Sequence, residues 1–430
     1  MAADSRENLI KTISHRQPAG IVFDIGATNV SNISASTLYK LRIALGLKPE
    51  PVKLCDPYQG LGLVEEDVRE IIGVDVAGIT SLYTAFGYKN QNWKPWKLPD
   101  GTDVLVGGDF TVKKDENANT LIFPGSDTGC SPCAKMPKNG FYFDPVNRQQ
   151  KINENLLNGK LDFKDDFVLF SDEELKYFEK QSLHLYNNTS CGIAGHMELM
   201  PAGDLGLIFG THLKNPRGIR NMEEWLISHY TRPGYIKEVL DYGSQVALKN
   251  LELYRQAVSD RIQVIPITGN DFGNQNGLIY SPDIYRQVYK PFYKRVNDWV
   301  HKNTKWKTFF HSCGAITAIL DDMIDSGVDI INPVQTSARG MEPKALKEKY
   351  GDRIVFWGGG VEPLTLQFGT AEEVKQQALE RIKIFSPGGG FVFGAIHNIQ
   401  PNVPVENVLA LIDAVRYAKN SHITTSQVIK

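Results

Sequence analysis

The stretch FFHSCG (309–314) places an imidazole and a thiol two positions apart, at His311 and Cys313. Side chains at i and i+2 of a strand leave it on one face. A strand running through Cys313 would aim both groups in one direction, which is the geometry of two ligands for one metal ion. It is equally the geometry of two half-buried residues, so a third ligand must come from elsewhere. His397, at the end of FVFGAIH, is the candidate. Two imidazoles and a thiolate make a three-ligand set for Zn²⁺, with the fourth position open to substrate or water, as a catalytic site requires. His196 and Glu198 form a further H-x-E pair, and Glu198 is a candidate extra ligand.

Asp24 and Asp271 follow apolar runs and are candidate catalytic acids. Desolvation in a closed mouth would raise a carboxyl's pKa and suit it to proton donation. Each is as readily a loop-capping aspartate bonded to backbone amides. Asn29 (beside Thr28), Asn270, Asn332, Gln335 and Asn398 occupy the same kind of position and are candidate substrate-binding residues.

The elements that must position these groups alternate. Strands are expected at 20–27, 261–273, WKTFFHSCG, VDIINPVQ, RIVFWGGGV and FVFGAIHNIQ, with a further one near DLGLIFG (204–210). Helices are expected over 231–258, 281–303, 315–327, 342–351, 370–390 and 404–420. Ser281 and Thr370 suit N-caps, Thr370 with Glu373 forming a capping-box pattern, and Pro291 should kink or divide its helix. Strict alternation with short links means parallel βα units, and six or more of them favour a (β/α)8 TIM barrel over an open sheet. No G-x-G-x-x-G lies on a strand–helix turn, which argues against a dinucleotide site. Residues 88–180 break the rhythm with an aromatic, Pro-rich stretch and a hairpin pattern. They are expected to be an insertion within a single barrel domain spanning 1–430, either a lid over the mouth that includes Tyr88, Trp93 and Trp96 or a structural or partner-binding excursion.

Composition is that of an ordinary globular protein, with 42% hydrophobic and 22% charged residues and a formal net charge of -2. That balance, with no long basic run, excludes nucleic acid or an anionic membrane as the expected partner. No apolar run reaches the ~20 residues of a membrane helix, and MAADSRENLIKTISHRQ has no apolar core, so a cytoplasmic location is expected. The five cysteines are scattered, as expected of free thiols; Cys130 and Cys133, in CSPC, could ligate metal or cycle redox state. Apolar segments on the outer helices permit a homodimer without demanding one.

At this point the chain resembles the uroporphyrinogen decarboxylase superfamily. The likeness rests on FDIGATNVSNISA, LVEEDVREIIGVDV, HSCG, GVDIINPVQ, KYGDRIVFWGGGV and HNIQPNVPVENVLALIDA, and covers most of the chain outside 88–180. One branch of that superfamily decarboxylates tetrapyrrole acetate arms without a cofactor. The other holds zinc and moves methyl groups to or from a corrinoid protein or a thiol. The decarboxylase branch's arginine-rich N-terminal motif is replaced here by FDIGATNVS, which has no arginine to bind carboxylates. In the methyltransferase branch the third ligand is a cysteine seven residues before the proline that opens the last helix. Here that position, counted from Pro404, is His397, a residue the decarboxylase branch also tends to carry. The resemblance implies a zinc-dependent methyltransferase acting on a small methyl ether or thiol-type compound, with the corrinoid (cobalamin) carried by a separate protein. It implies the demethylating direction, with Asp271 or Asp24 protonating the departing oxygen. The alternatives are a metal-free decarboxylase of a smaller substrate and a non-catalytic partner of a corrinoid protein.

Overall fold

The computed structural model describes residues 4–196 and 199–421. Eight parallel strands form its centre: β1 (Val22–Phe23), β2 (Val76–Gly78), β3 (Gly192–Ala194), β4 (Val264–Thr268), β5 (Lys307–His311), β6 (Ile330–Asn332), β7 (Val355–Trp357) and β8 (Phe391–Phe393). They pair in the order β1-β8-β7-β6-β5-β4-β3-β2. The remaining seam is bridged by Asp75. Its N–H donates to the Phe23 carbonyl at 2.8 Å, and its carboxylate accepts from Phe23 N–H at 2.8 Å, Ser5 Oγ at 2.6 Å and Lys419 Nζ at 2.6 Å. The barrel expected from strand–helix alternation is therefore present.

Strand residues alternate in and out. Val22, Val76, Val264, Phe309, Ile330, Val355 and Val392 belong to one buried cluster inside the barrel, and Phe23, Ile265, Phe310, Ile331 and Phe356 belong to the larger one under the helices. The helix Ser5–Thr12 closes the floor with Leu9. A Cβ at Gly192 would lie 2.2 Å from Leu9 Cδ2, so glycine is required for that contact. The same two-residue period puts Asp24, His311 and Asn332 in the uppermost interior layer.

The C-terminal helices form where their caps and periodicity place them: Pro233–Val258, Thr317–Asp325, Pro343–Tyr350, Ala371–Phe385 and Val405–Asn420. Thr370 and Glu373 make the reciprocal capping box. Pro291 divides its helix as expected: a π-helical turn at Tyr285–Tyr289 precedes Lys290–Asn303, with the proline in the first turn.

Two expectations fail. DLGLIFG is not a strand. Asp204 folds it into turns, its carboxylate accepting Gly206 N–H at 2.7 Å and its carbonyl accepting Leu207 and Ile208 N–H. The strand is instead GIA at 192–194, too short and too poor in β-branched residues to stand out. In addition, β5 stops at His311 rather than continuing through Cys313.

Residues 88–180 hold the expected hairpin, Lys94–Lys97 against Asp103–Val106, with Trp96 opposite Val104. That sheet also takes in Val52–Asp56 and Leu61–Gly62. A second antiparallel sheet links Val112–Lys114, Thr120–Ile122, Ala134–Met136 and Asp144–Pro145. Ser171 and Glu174 then cap the helix Asp172–Asn188. Among the described residues, no helix is long and apolar enough to cross a membrane.

Candidate active site

His311 ends β5 with its ring inside the barrel mouth. Its Nδ1 lies 2.7 Å from Asn332 Oδ1, and Asn332 Nδ2 donates to the Trp357 carbonyl at 3.0 Å. The fixed amide oxygen requires the proton on Nδ1, which leaves the Nε2 lone pair facing Cys313 Sγ at 3.4 Å.

Because β5 has ended, strand alternation does not place the thiol. Three consecutive backbone amides do. Ser312 N–H donates to the Asn332 carbonyl at 2.7 Å. Cys313 N–H donates to Asp271 Oδ1 at 2.6 Å, and Gly314 N–H to Gln335 Oε1 at 2.8 Å. Gly314 turns the chain away at φ 85°, in the left-handed region.

His397 follows β8, also in the left-handed region at φ 64°. Its Nδ1 lies 2.8 Å from Asn398 Oδ1, and Asn398 Nδ2 donates to Gln59 Oε1 at 3.0 Å. The His311 and His397 rings meet edge to face with centroids 5.3 Å apart.

Ligand atoms of His311, Cys313 and His397 all lie within 4.8 Å of one another, the only such metal-capable group among the described residues. Ligands of one tetrahedral zinc stand about 3.5 Å apart, so a small side-chain contraction closes the set on an ion. Burial pushes His311 down to about 4 and also lowers His397, so both imidazoles are neutral and able to ligate near pH 7. Burial, reinforced by the Asp271 carboxylate, pushes the Cys313 thiol well above its ordinary range. A thiolate there calls for a cation to balance it, and the donor chemistry fits a divalent metal. Replacing Asn332 by alanine should keep all three metal-capable side chains but free the His311 ring. Zinc affinity, measured by chelator competition, should fall about 10–100-fold.

The two imidazoles line a cavity of about 490 Å³, of which Cys313 is not part. Asp271, His311 and His397 contribute to its wall, as do Asn29, Asp56 and Gln59. Tyr58, Tyr83, Phe163 and Phe167 are its aromatic part. No lysine or arginine is among the described lining residues.

The polar strand-end residues separate into different places. Asn29 lines the cavity and donates to Asp56 Oδ2 at 3.1 Å. Asn332, Gln335 and Asn398 lie behind the metal-capable residues and hold them or their loop. Asn270 is buried outside the lining, its Nδ2 3.4 Å from Tyr293 OH. Asp24 is 0% exposed and also outside it. Its oxygens accept Ala27 N–H at 3.0 Å and Trp357 Nε1–H at 2.8 Å, and burial raises its carboxyl to about 6. Glu198 lies outside the described residues. Tyr88, Trp93 and Trp96 are not in the cavity wall.

Cys133 is buried with its thiol toward the Ile122 carbonyl, and Cys130 points to Asp127 instead. All five cysteines are free.

Sequence reasoning missed Asp56, Tyr58, Phe163, Phe167 and Asp204 as cavity residues. The available signal for Asp204 was its D-x-G turn pattern, which the apolar residues after it obscured.

Residues 211–418 match the family described as uroporphyrinogen decarboxylase (URO-D). A methylcobamide:CoM methyltransferase, MtaA, of Methanosarcina barkeri is 26% identical over 197 residues, covering 46% of this chain and 52% of that protein. A uroporphyrinogen decarboxylase of Coxiella burnetii is 28% identical over 149 residues, 34% of this chain and 39% of that one. The chain thus spans about half or less of the length of these curated relatives. A solved methyltransferase from Methanosarcina mazei has the same fold, with a TM-score of 0.53 at 16% identity, covering 96% of this chain and 98% of that one.

Proposed function

We propose that the chain is a zinc-dependent methyltransferase that removes a methyl group from a small, uncharged methyl ether or thioether and passes it to a corrinoid on a separate protein, a reading supported by the match of residues 211–418 to the uroporphyrinogen decarboxylase family. The observation that carries this reading is the convergence of His311, Cys313 and His397, the two imidazoles lining a cavity whose described lining has no lysine or arginine. The similarity to a methylcobamide-linked methyltransferase supports methyl transfer.

A bound zinc ion would supply positive charge to a substrate oxygen or sulfur. His311, Cys313 and His397 would hold it, with Asn332 and Asn398 orienting the two rings. One thiolate among three ligands leaves more net charge on the ion than two would, favouring work as a Lewis acid. Tyr58, Tyr83, Phe163 and Phe167 would pack an apolar or aromatic substrate and keep water from the reacting bond. Phe163 and Phe167 come from the 88–180 excursion, which we assign to substrate recognition. The barrel mouth would receive the corrinoid protein.

Decarboxylation of a polycarboxylate finds no support here, because its carboxylates would meet Asp56, Asp204 and Asp271 with no cation to offset them. The test is to incubate the zinc-loaded protein with free cob(I)alamin and a panel of methoxyarenes and methyl thioethers, following demethylated product by chromatography. Product that depends on both zinc and cob(I)alamin is expected. Equal turnover by zinc-free protein, or none with any donor, would overturn the reading.

A further inference from the structure

The demethylation proposed above leaves an oxygen that needs a proton, and Asp24, Asp271 and Asp204 are not equivalent as its source. Asp24 is sealed beneath the mouth, with both oxygens committed to Ala27 N–H and Trp357 Nε1–H. Asp271 lines the cavity, but its Oδ1 is the acceptor that positions Cys313 and lies 3.8 Å from His311 Nε2. Losing that acceptor would disturb the metal-capable loop. Asp204 differs from both. It lines the same cavity and is 6% exposed, and its carboxyl is met by backbone amides, with Gly206 N–H donating to Oδ1 at 2.7 Å. Among the described residues, no side chain donates to it and no cation pairs with it.

The segment that follows Asp204 is tied down at several points. Arg148 donates to the Gly210 and Leu213 carbonyls at 2.6 and 2.7 Å. Arg220 donates to the Ile208 carbonyl at 3.3 Å, and Thr211 Oγ1 to the Ala85 carbonyl at 2.5 Å. A carboxyl on a restrained loop, facing a cavity shared with the metal-capable residues, has the placement a positioned acid requires.

We propose that Asp204 is the proton donor for this site, delivering its carboxyl proton to the oxygen released when the methyl–oxygen bond breaks. In that step the electron pair of the broken bond stays on the oxygen. The methyl group leaves to the two-electron nucleophile of the corrinoid class brought by the partner, and Asp204 ends as a carboxylate. Its surroundings are consistent with holding the proton beforehand: burial, with the Asp271 charge added, raises the carboxyl to about 7. The proposal rests on the function assigned above.

The test uses the full chain loaded with zinc, free cob(I)alamin, and two substrates, 4-methoxyanisole and 4-cyanoanisole. The first releases a basic phenoxide, which needs a proton as it leaves. The second releases a stabilised one, which needs it less. Asp204→Asn should keep its zinc and bind both ethers with unchanged Kd. It should lose about 10²-fold in kcat with 4-methoxyanisole and less than about tenfold with 4-cyanoanisole, and Asp204→Glu should recover part of the loss. Equal losses on the two ethers, or none, in an otherwise active enzyme would overturn the role of Asp204 alone. A wild type that demethylates neither ether, nor any other donor in the panel, would overturn the functional assignment and the proton donor with it.

Discussion

Protein with serine in place of Cys313 should emerge from zinc-replete expression without bound metal, whereas the wild type should carry about one zinc per chain. The thiol is the only sulfur in the metal-capable set, and the two imidazoles that remain are neutral, so the variant presents no anionic ligand from the three. The cost to catalysis is correspondingly large. Lewis-acid stabilisation of developing charge amounts to several kcal/mol, and about 4 kcal/mol of lost stabilisation is roughly 10³-fold in rate. Metal analysis checks the first part, and zinc-dependent demethylation the second. His397→Ala should behave alike. If either variant retains stoichiometric zinc, the ion is held elsewhere and the three-residue site is wrong. Folding should be little affected, since Cys313 is part-exposed at the mouth and its position is set by backbone amides rather than by its sulfur.

The second large effect is on stability. Arg220 is 1% exposed and pairs with Asp166 through two parallel bonds, Nη1 to Oδ1 at 2.7 Å and Nη2 to Oδ2 at 2.8 Å. Its Nε donates to the Arg217 carbonyl at 2.6 Å, and its Nη2 also to that of Asp162 at 2.8 Å. The guanidinium lies 4.1 Å from the Phe163 ring centre. Removing one partner of a buried pair leaves an uncompensated charge, and Arg220→Ala should lower unfolding stability by about 3–5 kcal/mol, read from urea denaturation. The double variant Arg220→Met with Asp166→Leu should be less destabilised than either single alanine variant, because no orphaned charge remains. Asp166 and Phe163 both line the cavity, so Arg220→Ala should also weaken ether binding. A cost below about 1 kcal/mol would show that water reaches the pair and that the bidentate bonds are not buried as described.

What was legible beforehand follows from how strongly a residue's chemistry constrains its use. Alternating apolar strands and capped helices in the C-terminal half can bury their surfaces only as parallel βα units, so periodicity favoured a barrel, although the short strands Val76–Gly78 and Gly192–Ala194 did not stand out in it. An H-x-C with a later strand-end histidine is an uncommon combination of side chains, and its convergence could be anticipated. Asparagine, glutamine and aspartate carry no such constraint, since each serves a loop, a neighbouring ring or a ligand with the same oxygen. Tertiary structure therefore decided that Asn332 and Asn398 face the two imidazoles, that Gln335 and Asp271 take the amides around Cys313, and that Asp24 lies under Trp357. It also decided where Cys313 points, because β5 ends two residues early and the thiol's position comes from hydrogen bonds to three separate segments. Asp204 was hidden for a related reason. Its neighbours Leu205, Leu207, Ile208 and Phe209 look like a strand by hydropathy, but they pack as turns because the aspartate accepts an amide two residues ahead. The aromatic wall joins Tyr58, Tyr83 and Phe163, which are distant in the chain, and only the tertiary structure brings them together.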